Sequence, residues 1–206
     1  MARQDAMSLD HVAVFRAAWD SQEVTRCALA PLAVNEVLAA RYTVDPAVTF
    51  TRTMLWDLEV RKARRPDLFI PWVVAAGSAR VWGGDDVFVR ASRQRLWLEP
   101  ERYGLVLERT HLDHERQAVT FIGTGEIPGP DGEILRGTGQ ALFHVEHSVG
   151  GTENAPTNRW RIAHLTGGVD ERLVRVFAAI DADPWLPEYV EIYVRDVLGA
   201  RLERRS

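Results

Sequence analysis

The spacing of hydrophobic positions changes twice along the chain and divides it into three zones. From 8 to 42 the period is helical. Leu9, Val12, Phe15 and Trp19 fall on one side of a first helix, with Ser8 or Asp10 placed to cap it. Ser21 can cap a second helix, which Pro31 breaks or kinks. The stretch TFTRTMLWDLEVRKARRPD (49–67) starts in alternation and turns helical around Met54, Leu55, Leu58 and Lys62. Pro66, Asp67 and Pro71 end it.

Residues 72–166 form a strand field with six candidates: VVAAGSARVW, VFVRASRQRLWLE, YGLVLERTHLD, QAVTFIGTGEI, ILRGTGQALFHVEH and RWRIAHLT. The polar turns GGDD, EPER, HERQ and PGPDG are short enough to demand antiparallel neighbours. In IPGPDGEI, Pro130 presets one turn dihedral and Gly132 accepts a positive φ, which predicts a hairpin. SVGGTENAPTN (148–158) is the longest expected loop. From 169 to 200 the helical period returns, with Leu173, Val176, Phe177 and Ile180, then Tyr189, Val190, Tyr193, Val194 and Val197. Pro184 and Pro187 belong to the junction or a first turn.

Helices, an antiparallel meander and closing helices predict an α+β fold, with residues 1–206 as a single domain. A strongly curved sheet of about six strands, pressed against helices at both ends of the sequence, is expected to enclose a cavity. The seven tryptophans and four tyrosines suit walls that meet both an apolar ligand and water.

Composition narrows the functional classes. The chain has 206 residues, 46% of them hydrophobic, ample for one core. A net charge of −4 supplies no basic field for nucleic acid. Lys62 is the single lysine and Cys27 the single cysteine, so no internal disulfide can form and no CxxC motif exists. The opening MARQDAMSLDHV has no secretory pattern, and no apolar run approaches the ~18 residues of a membrane span. A cytoplasmic protein is expected, without membrane or nucleic-acid partner.

Most motif-like stretches dissolve on inspection. GTGEIPG (123–129) leads into a hairpin, so no helix N-terminus is there to meet phosphate. GSARVWGG is not a nucleophile elbow, and HLDHE (111–115) reads as a solvated turn. ALFHVEH (141–147) is richer. On a strand, Leu142, His144 and Glu146 share one face, and Phe143, Val145 and His147 share the other. The two histidines point opposite ways and cannot meet one metal, so no metal is expected. His144 and Glu146 lie roughly 6–7 Å apart at Cα, with Gln140, Thr138 and Arg136 extending their face. This face is either solvent-exposed or the lining of a hydrated pocket. In the second case His144 is a candidate general base oriented by Glu146, and His147 serves packing. Trp160, Ile162 and His164 share a face on the next strand, and Phe88, Arg90, Ser92 and Gln94 share one on an earlier strand. His164 and Asp57 are the alternative acid–base groups. Trp56, Arg90, Trp97, Gln140 and Trp160 are the candidate substrate-binding residues.

TGQALFHVEH followed after a loop by NRWRIAHLT resembles the last hairpin of the SnoaL-like, NTF2-like cone fold, and AAWDSQEV and VDPAVTF are similar to its opening elements. That family includes polyketide cyclases, dehydratases, isomerases and epoxide hydrolases as well as non-catalytic members. The resemblance implies Asp/His acid–base chemistry in a conical pocket, commonly without cofactor. The chain departs from it in length, in having six strands after the helix at 53–66 where four are usual, and in the 40 or so residues after the last strand. These features, with RRPDLFIPWV, resemble the START-like helix-grip fold instead. The cone is the first expectation and the helix-grip fold the alternative, and both resemblances imply a pocket for a small, largely apolar molecule. Three functions stay open: a cofactor-independent cyclase, dehydratase or isomerase of polyketide-like metabolism, a non-catalytic carrier, and an accessory subunit. A homodimer is compatible with each.

Overall fold

Strand β11 (Ala155–His164) organises the pairing. On one side it carries β1 (Thr25–Ala28) and, further along, β2 (Leu32–Ala33). On the other side the order runs through β10 (Phe143–Thr152), β7 (Ala118–Gly123), β6 (Tyr103–Asp113), β5 (Val87–Arg95) and β4 (Arg80–Gly83). Every pairing is antiparallel. The computed structural model describes residues 9–205, so Ser8 lies outside the described residues and Asp10 is the cap of α1 (His11–Asp20), accepting from the Ala13 amide at 2.9 Å.

The result is an α+β fold with a large antiparallel sheet and helices. The sheet has eight strands where about six were expected. The added pair, β1 and β2, occupies the stretch read as a second helix. Thr25 to Ala28 alternate buried and exposed over only four residues, too short a run to stand out beside the apolar ALAPLAV that follows. Ser21 closes α1, its amide bonding the Ala18 carbonyl, and the second helix α2 spans Val34–Arg41. Six strands of the sheet (β4, β5, β6, β7, β10, β11) follow α3 (Arg52–Arg64), as in the START-like resemblance and in excess of the cone.

Other expected elements changed bounds. VVAAGSARVW is strand only at Arg80–Gly83. ILRGTGQALFHVEH is not one strand. Its first part, β9 (Ile134–Arg136), pairs with β8 (Glu126–Pro128) in the expected hairpin, and residues 137–142 leave the sheet before β10 begins. Arg136, Thr138 and Gln140 therefore do not extend the His144–Glu146 face. SVGGTENAPTN is mostly paired, with the ladder reaching Thr152 and Ala155. A last strand, β12 (Arg201–Arg204), pairs with β3 (Tyr42–Asp45) beyond the expected helices.

The core face carries Phe88, Phe121, Phe143, Val145 and Ile162 against α3, the short α4 (Pro66–Phe69), α5 (Glu171–Asp181) and α6 (Glu188–Ile192), which runs on into a π-helical turn at Tyr193–Val197. Thr51 caps α3 and Asp170 caps α5, each through its side-chain oxygen. The outer face is covered as well, by α1 on one half and by the β8–β9 hairpin, through Ile127 and Leu135, on the other. No helix among the described residues is long and apolar enough to cross a membrane. Side chains pack closely at the centre of the core face, where the Lys62 ammonium lies 3.9 Å from the Tyr189 ring centre and Trp160 stacks on Tyr189 at 5.3 Å.

β7 and β10 approach so closely at one end that a Cβ on Gly123 would lie 2.3 Å from the Phe143 carbonyl oxygen. Gly123→Ala is expected to lose about 1–3 kcal/mol by forcing the strands apart. An unchanged urea midpoint would contradict that close approach.

Candidate functional site

On α3 the apolar stripe runs Leu55, Leu58, Glu59, Lys62, so two charged side chains occupy positions that face the core. Both are buried, Glu59 at 0% and Lys62 at 2% exposure. Lys62 Nζ donates to Glu59 Oε1 at 2.7 Å, and Asn158 Nδ2 donates to the same oxygen at 3.0 Å. His147 Nδ1 lies 3.2 Å from Glu59 Oε2. Asn158 Oδ1 in turn accepts from the Tyr189 hydroxyl at 2.6 Å and from Trp160 Nε1 at 3.1 Å. Three aromatic planes close the group, with His147 stacked on Trp160 at 4.6 Å and Trp160 on Tyr189. One helix, two neighbouring strands and α6 thus converge on a single ion pair.

The electrostatics follow from burial and from that pair. Burial by itself pushes the Glu59 carboxyl up, but Lys62 and His147 outweigh it and hold the group at about 2. Burial, opposed by Glu59, lowers Lys62. His147 is lowered to about 4, first by burial and then by the Lys62 charge, so it is neutral at pH 7 and its Nδ1–H donates to Glu59. Beside this group a second buried pair joins Arg90 Nε to Glu108 Oε2 at 2.8 Å. The Arg90 guanidinium lies 4.2 Å from the Phe121 ring and donates to the Ala63 carbonyl of α3 at 3.2 Å.

Further along the same face, roughly 13 Å from Trp160 by strand rise, a different set gathers around Phe177 of α5. Its ring lies 4.8 Å from Trp97 and 5.3 Å from His164. Gln140 Oε1 accepts the Trp97 amide at 3.1 Å. Trp97 Nε1, Gln140 Nε2 and His164 Nε2 are buried without a hydrogen-bond partner among the described residues. Buried polar atoms are nearly always bonded, so three together are unusual. Burial lowers His164 to about 4.

Five expected site residues therefore share the core face: Arg90, Trp97, Gln140, Trp160 and His164. Of the other four, only Trp56 belongs to the same core cluster, and it stands apart from both groups. His144 and Glu146 lie buried on the outer face, on the strand that α1 packs against, and no hydrogen bond joins them. Glu146 bonds Arg161, its cross-strand partner. His144 is lowered by burial, and its Nδ1 is unbonded among the described residues. Asp57 has a side chain 42% exposed, held by Arg61 at 2.7 Å and by the Tyr193 hydroxyl at 2.8 Å. Trp56 donates to His114 at 3.2 Å, which places it beside the β6–β7 turn. Glu59, Lys62, Asn158 and Tyr189 were not expected at the site, and His147, expected only to serve packing, joins them through Glu59. The signal for Glu59 and Lys62 was present, because they fall on the stripe that Leu55 and Leu58 define.

No protein-family model and no curated protein matches the chain. Among solved structures it is similar to the Zhui aromatase/cyclase from Streptomyces sp. R1128, at 10% identity and TM-score 0.43 over 77% of this chain and 88% of that one. It is similar to norcoclaurine synthase from Thalictrum flavum, at 10% identity and TM-score 0.46 over 85% and 88%. A third is major latex-like protein 151 from Panax ginseng, at 12% identity and TM-score 0.45 over 78% and 97%.

Proposed function

We propose that the protein is a cofactor-independent acid–base enzyme acting on a small, largely apolar oxygenated molecule at the core face of the sheet. The observation that carries this is the Glu59–Lys62–His147 group. A buried ion pair is often no more stabilising than apolar side chains of the same volume. Stability alone therefore gives no reason to keep a lysine and a carboxylate at 2% and 0% exposure, whereas proton transfer does. In this reading neutral His147, oriented by Glu59, removes a proton next to a substrate carbonyl, and Lys62 stabilises the oxygen anion that develops. Trp97, Gln140 and His164 offer their unbonded nitrogens to other substrate oxygens. His144, Glu146, Trp56 and Asp57 stand outside the site. Entry requires α5 and α6 to lift from the sheet. The π-helical turn after α6 and the segment 182–187 between the two helices are the places for such a movement.

A non-catalytic binding protein is the second reading, and the completeness of the cluster favours it, since both Glu59 oxygens already have donors. A panel of aromatic ketones and phenols in D2O separates the two. Tryptophan fluorescence should be quenched saturably, and deuterium should enter next to the ketone carbonyl. His147→Phe should slow that exchange by about 10²- to 10⁴-fold while quenching persists. Quenching without exchange in the unaltered protein would leave the carrier. No quenching by any member would reject both.

A further inference from the structure

On the outer face, α1 leaves a recess of about 370 Å³ against β10 and β11, within the lower range of ligand sites. Its floor is the Glu146 carboxylate, 5% exposed, which accepts from Arg161 and lies 4.0 Å from Arg116. The Arg161 guanidinium is 5.2 Å from the Phe15 ring and 5.3 Å from the Trp19 ring. The floor is therefore fixed, with both carboxylate oxygens facing guanidinium groups.

What remains at the recess is a surplus of donors. Three arginines (Arg16, Arg116, Arg161) line it against two carboxylates (Asp20, Glu146), and Arg116 also faces Asp113 just outside it at 3.8 Å. Arg16 is exposed and has no ion pair among the described residues, and each guanidinium offers five N–H groups that no carboxylate here can exhaust. Trp19 is half-buried and turns an aromatic surface to the same space. We propose that this recess binds a small planar molecule carrying one carboxylate or phosphate. The anion sits on Arg16 and Arg116, and the ring lies against Trp19. This site is separate from the core-face cluster, on the other side of the same two strands.

Benzoate and phenyl phosphate, titrated calorimetrically into the full chain, are the probes. Inorganic phosphate and cyclohexanecarboxylate are the controls. Both aromatic anions should bind saturably, about tenfold or more tighter than the controls, and raised salt should weaken them. Arg16→Ala with Arg116→Ala, both exposed positions, should weaken binding by about tenfold or more. Trp19→Leu should remove the preference for a ring. His147→Phe, on the opposite face, should leave the titration unchanged. Binding that survives loss of both arginines, or no binding of either aromatic anion, would overturn the proposal. Inorganic phosphate bound as tightly as phenyl phosphate would overturn its planar half.

Discussion

Glu59→Gln should lower the unfolding free energy by about 3–5 kcal/mol, the usual cost of removing one partner from a buried ion pair. The loss comes less from the missing attraction than from Lys62, whose ammonium stays 2% exposed with only a neutral amide oxygen and the faces of Tyr189 and Trp160 to meet it. Lys62→Met should cost a similar amount, because the Glu59 carboxylate is then left with only the neutral donors His147 and Asn158. The double variant Glu59→Leu/Lys62→Met should recover a large part of the summed losses. Its remaining deficit would come from Asn158 and His147, which lose their acceptor. Urea denaturation of the three variants gives the coupling. Purely additive losses would mean that the two charges do not depend on each other, and the cluster would lose its place at the centre of the site.

This pair also marks the limit of what alternation and periodicity convey. The helical stripe of α3 was legible, as were most long strands, and Phe88, Arg90, Ser92 and Gln94 share the face that was read for them. Which of the two faces meets the interior was not legible. In an ordinary two-layer arrangement the polar side of a strand faces water. Here α1 and the β8–β9 hairpin cover the second side, so His144 and Glu146 are buried at 7% and 5% although they lie away from α3. A strand covered on both sides gives no compositional sign of which side holds the chemistry. The short pairings were hidden for another reason. β3 and β12 are four residues each, and their partners are far apart in sequence, so neither carries a local pattern. The break at 137–142 rests on backbone conformation, with Gly139 at φ +97°, inside what reads as one continuous strand.

A second large effect is expected in acid. His147 and His164 both titrate at about 4 in the fold, against 6.5 for an ordinary imidazole. Burial is the main cause for each, and the Lys62 charge adds to it at His147. The unfolded chain therefore takes up their protons more readily than the folded one. Their contribution to stability is complete above pH 6.5 and is lost as pH falls from 6.5 to 4, at most about 3 kcal/mol each. Glu59 follows in a lower window. Held at about 2 against an ordinary 4.5, it contributes above 4.5 and loses that contribution between 4.5 and 2. Urea midpoints should therefore decline well before ordinary carboxylates titrate, and His164→Phe should flatten the first part of the decline. A midpoint unchanged between pH 7 and pH 5 would show that these imidazoles are not held neutral by burial.

The pairing of β1 with β11 bears on how the chain reaches this arrangement. Thr25 sits beside His164 in the ladder, and its hydroxyl meets that of Thr166 across 141 residues of sequence. Closing so long a loop adds little free-energy cost over a shorter one, because the entropy grows only with the logarithm of length. It does slow the search for the partner. During synthesis, residues 25–28 have no strand to join until β11 has left the ribosome. Residues 25–28 therefore wait, with their backbone N–H and C=O groups unpaired by a strand, for a partner made more than a hundred residues later.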